Sequence, residues 1–301
     1  AEISSIYKRH GVVRKVHNLL YVPDFASAER LNSRLGGIGN IKSDGRPILG
    51  LDSRDLLQIM LDTDPRGHLI PAHIWTPWFS MLGSQSGFDS VAACFGDLTP
   101  HIFALETGLS SDPPMNWRMA DMQNRFVVSN SDAHSGPKMG REANVFEMEK
   151  PSYTAIYNAL KNRDNKTFIE TLEFYPEEGK YHYDGHARCG VSLHPDQTKK
   201  LKGLCPKCHL PLTIGVLSQV EKLAAYPAGH VPPKVPKHRY IVPLPEILSE
   251  VAGKGWQTQT VQKTYMDMIK NGGDEFTILL DTPIKEIQAF AGEQIAVAID
   301  K

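Results

Sequence analysis

The chain is short of the features that mark a secreted, membrane-spanning or nucleic-acid-coating protein. Only 4 of its 301 residues are cysteine, too few for a secreted disulfide framework. No apolar run approaches the roughly 20 residues of a membrane span, and no stretch is laid out like a signal peptide, so a cytoplasmic protein is expected. The formal net charge is −1, which gives no global attraction to nucleic acid. Basic surface must be local, as at Lys199-Lys200-Leu201-Lys202 and residues 234–239, and such runs are most often solvated faces. A Ser/His/Asp nucleophile arrangement is missing, as is a phosphate-cradling glycine loop: Gly36-Gly37-Ile38-Gly39 lacks the strand before it and the helix after it. There is no internal repeat. The initiator Met is also missing, and the opening Ala1-Glu2-Ile3-Ser4-Ser5 reads as a cut from a longer protein.

What is present is enough for a full core. Hydrophobic residues make up 41% and charged residues 22%, which suits one large domain with one or two small ones. A strand from Val16 to Val22 leads to Asp24, which caps a helix with Phe25, Ala28, Leu31 and Leu35 on its apolar face. Asp52 or Ser53 starts a second helix carrying Leu56, Ile59 and Met60, and the turn Asp64-Pro65-Arg66-Gly67 leads into a strand ending at His73. Short apolar strands follow at His101 to Glu106 and Phe126 to Ser129, then a Ser152-capped helix with Ile156 and Leu160. Alternation of this kind predicts an α/β fold with parallel strands covered by helices. Three regions are expected: a hydrolase-like barrel over 1–175, a metal-binding segment over 176–213 and a mainly helical region over 214–301. In the last, Ile284, Ile287, Ala291, Ile295 and Ala298 form a stripe that runs on to Lys301.

Three of the four cysteines fall in the middle region, in His186-Ala187-Arg188-Cys189 and Cys205-Pro206-Lys207-Cys208. Paired His/Cys and Cys/Cys ligands on either side of a loop suit a tetrahedral structural zinc better than a disulfide in a reducing compartment. His186, Cys189, Cys205 and Cys208 are the expected ligands, with His182, His194 and His209 as substitutes for His186.

A second set of ligand types lies where apolar runs end. Ser131-Asp132-Ala133-His134 follows Phe126 to Ser129, His73 follows Leu69-Ile70-Pro71-Ala72, His17 lies inside Val16-His17-Asn18-Leu19, and Glu2 stands beside Ile3. Carboxylates and imidazoles gathered at one pole of a barrel suit divalent cations that activate water and neutralise a phosphoryl group. Singly, His17 and His73 would be ordinary core histidines; together they are candidate ligands.

These motifs resemble the later motifs of the PHP (polymerase and histidinol phosphatase) superfamily of metal-dependent phosphoesterases. With Glu106-Thr107-Gly108-Leu109-Ser110-Ser111-Asp112-Pro113, His73-Ile74-Trp75-Thr76-Pro77-Trp78-Phe79 and the Cys/His segment, the chain is similar to endonuclease Q and its bacterial relatives. The resemblance implies a distorted seven-stranded (βα) barrel, partial here. It also implies divalent ions (Zn, Mn or Mg) at the active site and cleavage of DNA on the 5′ side of uracil, hypoxanthine or an abasic site. It casts Glu2 as a carboxylate bridging two ions, His17 and His73 as ligands of one ion, Asp132 and His134 as completing the cluster, and Glu106 as a hydrogen-bonding support. The family's N-terminal His-x-His has no counterpart, since His10 stands alone, and a chain lacking it is expected to be a poor enzyme. Trp75, Trp78 and Phe79 are candidates for stacking on an extruded base, and Arg118, Arg125 and Arg141 for holding phosphates. Two other readings of the residues are a phosphatase of small monoesters and a non-catalytic, zinc-containing nucleic-acid-binding module.

Overall fold

A computed structural model describes residues 1–43 and 45–300; Lys301, the end of the expected C-terminal stripe, lies outside the described residues. The chain forms two compact units that meet at the Arg239–Tyr240 bond. This division falls downstream of the 213/214 boundary expected from composition, because the helix Val216–Leu223 places Val216 and Val220 in the core of the first unit.

The first unit begins with a β-hairpin. Glu2–Arg9 and Val12–Tyr21 pair antiparallel across His10 and Gly11, whose φ angles of 51° and 78° are the doubly positive backbone that a two-residue hairpin turn requires. The hairpin sits inside a four-stranded sheet ordered Ile48–Leu49, Glu2–Arg9, Val12–Tyr21, His68–Pro71. Only the Ile48–Leu49 pairing is parallel; His68–Pro71 runs antiparallel to Val12–Tyr21. The strand leading to His73 is therefore not the parallel strand expected from the sequence. The hairpin turn reverses Val12–Tyr21 relative to Glu2–Arg9, so His68–Pro71, reached through the helices Phe25–Gly36 and Ser53–Thr63, meets it antiparallel. Parallel pairing does hold for Ala104–Glu106 with Phe126–Val128, which are joined by the kind of helical connection such pairing demands. Ala143–Phe146 and Phe168–Glu173 form a further antiparallel pair. The architecture is mixed α/β.

The helices begin where their caps predict. The Asp24 carboxylate accepts from Ser27 N ahead of Phe25–Gly36, Asp52 accepts from Arg54 N ahead of Ser53–Thr63, and the Ser152 hydroxyl accepts from Ala155 N ahead of Tyr153–Asn162. Each satisfies an otherwise orphaned first-turn amide. Leu31, Leu35, Leu56, Leu57 and Met60 then pack with Val16, Leu20 and Leu69 into the main core, whereas Phe25 is exposed.

The 184–213 stretch is small and built on local pairing. Asp184–His186 and Val191–Leu193 form a two-stranded ribbon, and His194 caps the helix Pro195–Lys200 through a capping box with Gln197. Few of its apolar residues are buried. The second unit is helical over Leu244–Ala252, Gln259–Gly272, Ile284–Ala291 and Glu293–Asp300. Its own core comprises Leu244, Leu248, Val261, Met268, Ile278, Ile287 and Ala296. Glu275 accepts from Leu244 N at 2.7 Å and from the Tyr265 hydroxyl at 3.0 Å, tying the start of the first of these helices to the second. Among the described residues no helix is long and apolar enough to cross a membrane.

Candidate metal centre and cleft

The hairpin register builds the first half of the site. Ser4 stands opposite His17 and Glu2 opposite Leu19, so Glu2 and His17 share one face of the sheet as diagonal neighbours. His73 arrives from the other side, just past His68–Pro71, with a φ of 28°. Its amide donates to Glu106 Oε2 at 2.6 Å, and Gly108 backs onto it so closely that a Cβ at position 108 would lie 2.5 Å from the His73 Cβ. Glycine is required there by both space and conformation, since its φ is +66°.

Three donor groups converge. His17 Nδ1 lies 3.1 Å from His73 Nε2, and Glu2 Oε1 is 3.3 Å from the first and 3.5 Å from the second. Possible ligand atoms of the three residues all lie within 4.8 Å of one another. Glu2 Oε1 is nonetheless buried without a hydrogen bond among the described residues. A buried carboxylate oxygen without a hydrogen bond, facing two ring nitrogens, is a donor set that suits a cation. Burial acts to raise the Glu2 pKa, but contacts with His17, His73 and Arg46 prevail and hold it well below the usual carboxylate range. Burial lowers the His17 pKa, favouring the neutral ring that a metal ligand needs. For His73 burial works the same way and is the largest single effect, but the Glu2 contact and the charges of Glu106 and Asp132 together outweigh it and the net shift is upward.

Asp132 and His134 are not drawn into this group. Arg141 fixes the Asp132 loop by donating to Ser131 O at 2.8 Å and Asp132 O at 3.3 Å, and Asp132 takes a φ of 42°. Its Oδ1 is 3.8 Å from Arg46 Nη2. The His134 ring, with a side chain 75% exposed, turns back to within 2.9 Å of Asp132 O. Both residues still line the same cleft of about 460 Å³, together with His17, His73, Arg46, Trp78 and Tyr181. Sequence reasoning passed over Arg46, whose Nη2 reaches Glu2 Oε2 at 2.8 Å. It sits in a Gly/Pro-containing loop with no periodicity, and only its place just ahead of Ile48–Leu49 hints at a role.

Beneath the cleft lies a buried polar layer of which the sequence marked only Glu106. Glu106, fully buried, accepts from Asn130 Nδ2 at 2.5 Å. Asn144 donates to Asn130 Oδ1 and Ser129 O, and the Ser129 hydroxyl donates to Glu173 Oε1 at 2.5 Å. Burial raises the pKa of Glu106. It also raises Glu142, with Glu173 adding to the effect, and brings Glu173 to about 7. Glu106 thus supports His73 through its backbone, as expected of a residue that holds a ligand in place.

The aromatic and arginine candidates separate. Trp75 is 1% exposed and its indole N–H donates to Asn116 Oδ1 at 2.8 Å; it is a core residue and is closed to a stacking role. Trp78 is 41% exposed and lines the cleft, while Phe79 packs on the His17 ring. Arg118 does not line the cleft and instead reaches the Tyr226 carbonyl at 3.5 Å. Arg125 is occupied by the carbonyls of Ile102, Asp121 and Thr99. Neither arginine lines the cleft, and each turns to backbone carbonyls instead.

In the 184–213 stretch, ligand atoms of His186, Cys189, Cys205 and Cys208 also lie within 4.8 Å of one another. Cys208 Sγ is 3.3 Å from His186 Nδ1. The turn is closed by Cys205 N donating to Leu210 O and His209 N donating to Cys205 O, both at 2.8 Å. Burial acts to raise the Cys205 pKa, but the amides of Lys207 and Cys208 prevail and bring it to about 6. Of the substitutes for His186, His182 is buried against Ser110 O at 3.0 Å and His194 is spent as a helix cap. These four side chains could hold a metal ion.

Fold and clefts together define a mixed α/β protein carrying two separate groups of metal-ligand side chains. The chain is a relative of endonuclease Q in sequence and structure. It is 28% identical to the lesion-specific endonuclease PfuEndoQ of Pyrococcus furiosus, with a TM-score of 0.83 over 98% of this chain and 74% of that one. It is also 28% identical to endonuclease Q solved with a 27-mer duplex substrate bearing an abasic lesion at the active site, with a TM-score of 0.86 over 99% of this chain and 72% of that one. The family model described as the MJ0043 C-terminal domain matches residues 243–301. MJ0043 of Methanocaldococcus jannaschii is 33% identical over 220 residues, or 71% of this chain, and the chain spans only 27% of its length. YqxK of Bacillus subtilis is 28% identical over 95% of this chain and 68% of its own.

Proposed function

We propose that this chain is a metal-dependent DNA endonuclease of repair that hydrolyses the phosphodiester on the 5′ side of a deaminated base or abasic site. The observation that carries the reading is the convergence of Glu2, with an orphaned carboxylate oxygen, on His17 and His73, which line the 460 Å³ cleft. The chain around it shares its fold with a lesion-specific endonuclease. In this reading the sheets of the first unit are part of a distorted (βα)7 barrel, and Glu2, His17 and His73 hold the catalytic cation, with Asp132 and His134 completing the cluster. His186, Cys189, Cys205 and Cys208 hold a structural zinc. Divalent ions would supply Lewis acidity, activating water and countering charge on the phosphoryl group. The protein's own contribution is placement: Glu106 sets His73 through its amide, Arg141 sets the Asp132 loop, and Trp78 offers an exposed ring for stacking against a base.

The test is a cleavage panel. Duplexes carrying a single uracil, hypoxanthine or abasic site, and an undamaged control, are incubated with the protein and Mn²⁺, Mg²⁺ or Zn²⁺. Lesion-dependent nicking is expected, and its absence with every metal sinks the nuclease reading. The exposure of His134 and its separation from the three converging groups favour one alternative, a non-catalytic module. That alternative predicts retention of lesion DNA in a binding assay without any nick.

A further inference from the structure

We infer that Arg46 is a built-in positive charge of the Glu2 centre, occupying one side of the carboxylate so that Glu2 can serve a single divalent ion rather than bridge two. This rests on the metal-dependent reading of the same cleft and assigns a role to a residue that the reading does not use.

Arg46 is held in place by its backbone. Ser4 N donates to Pro47 O at 2.9 Å, and Ile48 pairs parallel with Ser4, so the residue is delivered to the edge of the strand that begins at Glu2. Its side chain is only 26% exposed, and its Nη2 lies 2.8 Å from Glu2 Oε2 and 3.8 Å from Asp132 Oδ1. The buried Nε has no acceptor among the described residues. Glu2 therefore divides its oxygens: Oε1 faces the imidazoles of His17 and His73, and Oε2 faces the guanidinium of Arg46. The same guanidinium spans the distance between the cluster and Asp132, two carboxylates that would otherwise repel each other across the cleft.

A charge at that position acts on a metal in a defined direction. If Arg46 stands in for a cation, it repels any divalent ion on Glu2, and removing it should strengthen metal binding. If it merely braces Glu2, removing it should loosen the ligands and weaken binding. The two roles give opposite signs.

The experiment uses the full chain with its Cys/His group first saturated with Zn²⁺. Mn²⁺ binding is followed by isothermal titration calorimetry and counted by elemental analysis, for wild type, R46Q and R46K. We expect R46Q to bind Mn²⁺ at least about tenfold more tightly, or to take up one additional ion, because two like charges a few ångströms apart in a partly buried site interact strongly. R46K, which keeps the charge, should stay near wild type. Equal or weaker Mn²⁺ binding by R46Q overturns the assignment and leaves the metal centre itself standing. No Mn²⁺ binding by either protein overturns both. R46M, apolar and of similar length, replaces R46Q if thermal melting shows that R46Q is unfolded.

Discussion

Substituting Gly108 by alanine should displace His73 and thereby disable the centre without touching any ligand. Gly108 has a φ of +66°, and an added Cβ would meet the His73 Cβ at 2.5 Å and its Cα at 2.9 Å. The atoms it meets belong to the backbone and the root of a side chain, so rotation about a flexible bond cannot relieve the clash. Left-handed backbone costs an alanine about 1–2 kcal/mol, and overpacking a tight site costs about 1–3 kcal/mol more. The sum, about 2–5 kcal/mol, corresponds to a melting temperature lowered by roughly 5–15 °C for a unit of this size. Because the other partner in the clash is His73, Mn²⁺ affinity should fall with it. Calorimetric melting and Mn²⁺ titration of G108A check both effects. A variant that melts with wild type and binds Mn²⁺ equally well would refute the packing argument and, with it, the claim that Gly108 sets the position of His73.

Further outcomes follow from the same structure. Cys205→Ser should lose the bound zinc and open the 184–213 stretch to protease, since so little of that stretch is buried that metal must stabilise it; unchanged zinc content and unchanged digestion pattern would count against it. Trp75→Ala should destabilise the protein by about 3–5 kcal/mol with an unchanged preference between damaged and undamaged duplex. Trp78→Ala should do the reverse, keeping the melting temperature and narrowing that preference. Asp132→Asn should abolish cleavage while leaving DNA affinity nearly intact, as gel-shift and nicking assays run side by side would reveal. For Glu173, burial raises the pKa to about 7, so the folded state holds this proton more tightly than the unfolded chain. Its contribution is present in full below the unfolded carboxylate value and is lost as pH rises through about 7. Stability by urea titration should therefore fall as pH rises from about 4.5 to about 7, and E173Q should flatten that slope.

The parts of this protein that were legible in the sequence are those written in local chemistry. Asp24, Asp52 and Ser152 announce their helices because a capping side chain is needed wherever first-turn amides lack partners. The Cys/His pairs announce their cluster because the spacing alone brings each pair to one turn. The strand direction was not legible. Lys8 and Arg9 make Glu2–Arg9 look like a polar terminus, and His10-Gly11 is an inconspicuous turn until its positive φ angles are seen. Trp75 and Trp78 are also indistinguishable by type, and only the Asn116 hydrogen bond separates the core ring from the exposed one. Arg46 and the Asn130–Asn144–Ser129–Glu173 layer behind Glu106 were missed for the same reason. Their meaning lies in contacts between residues distant along the chain, and no periodicity records those.

The most direct test of the central claim is metal-rescued cleavage at a single lesion. The Cys/His group is first loaded with Zn²⁺, the protein is stripped with a chelator that leaves that ion in place, verified by elemental analysis, and it is offered a duplex with one abasic site before and after Mn²⁺ is added. The account predicts no product from the stripped protein and, after Mn²⁺ addition, a nick on the 5′ side of the lesion that E2Q and H73A fail to produce. Cleavage that survives removal of the metal, or that persists in both variants, would contradict it.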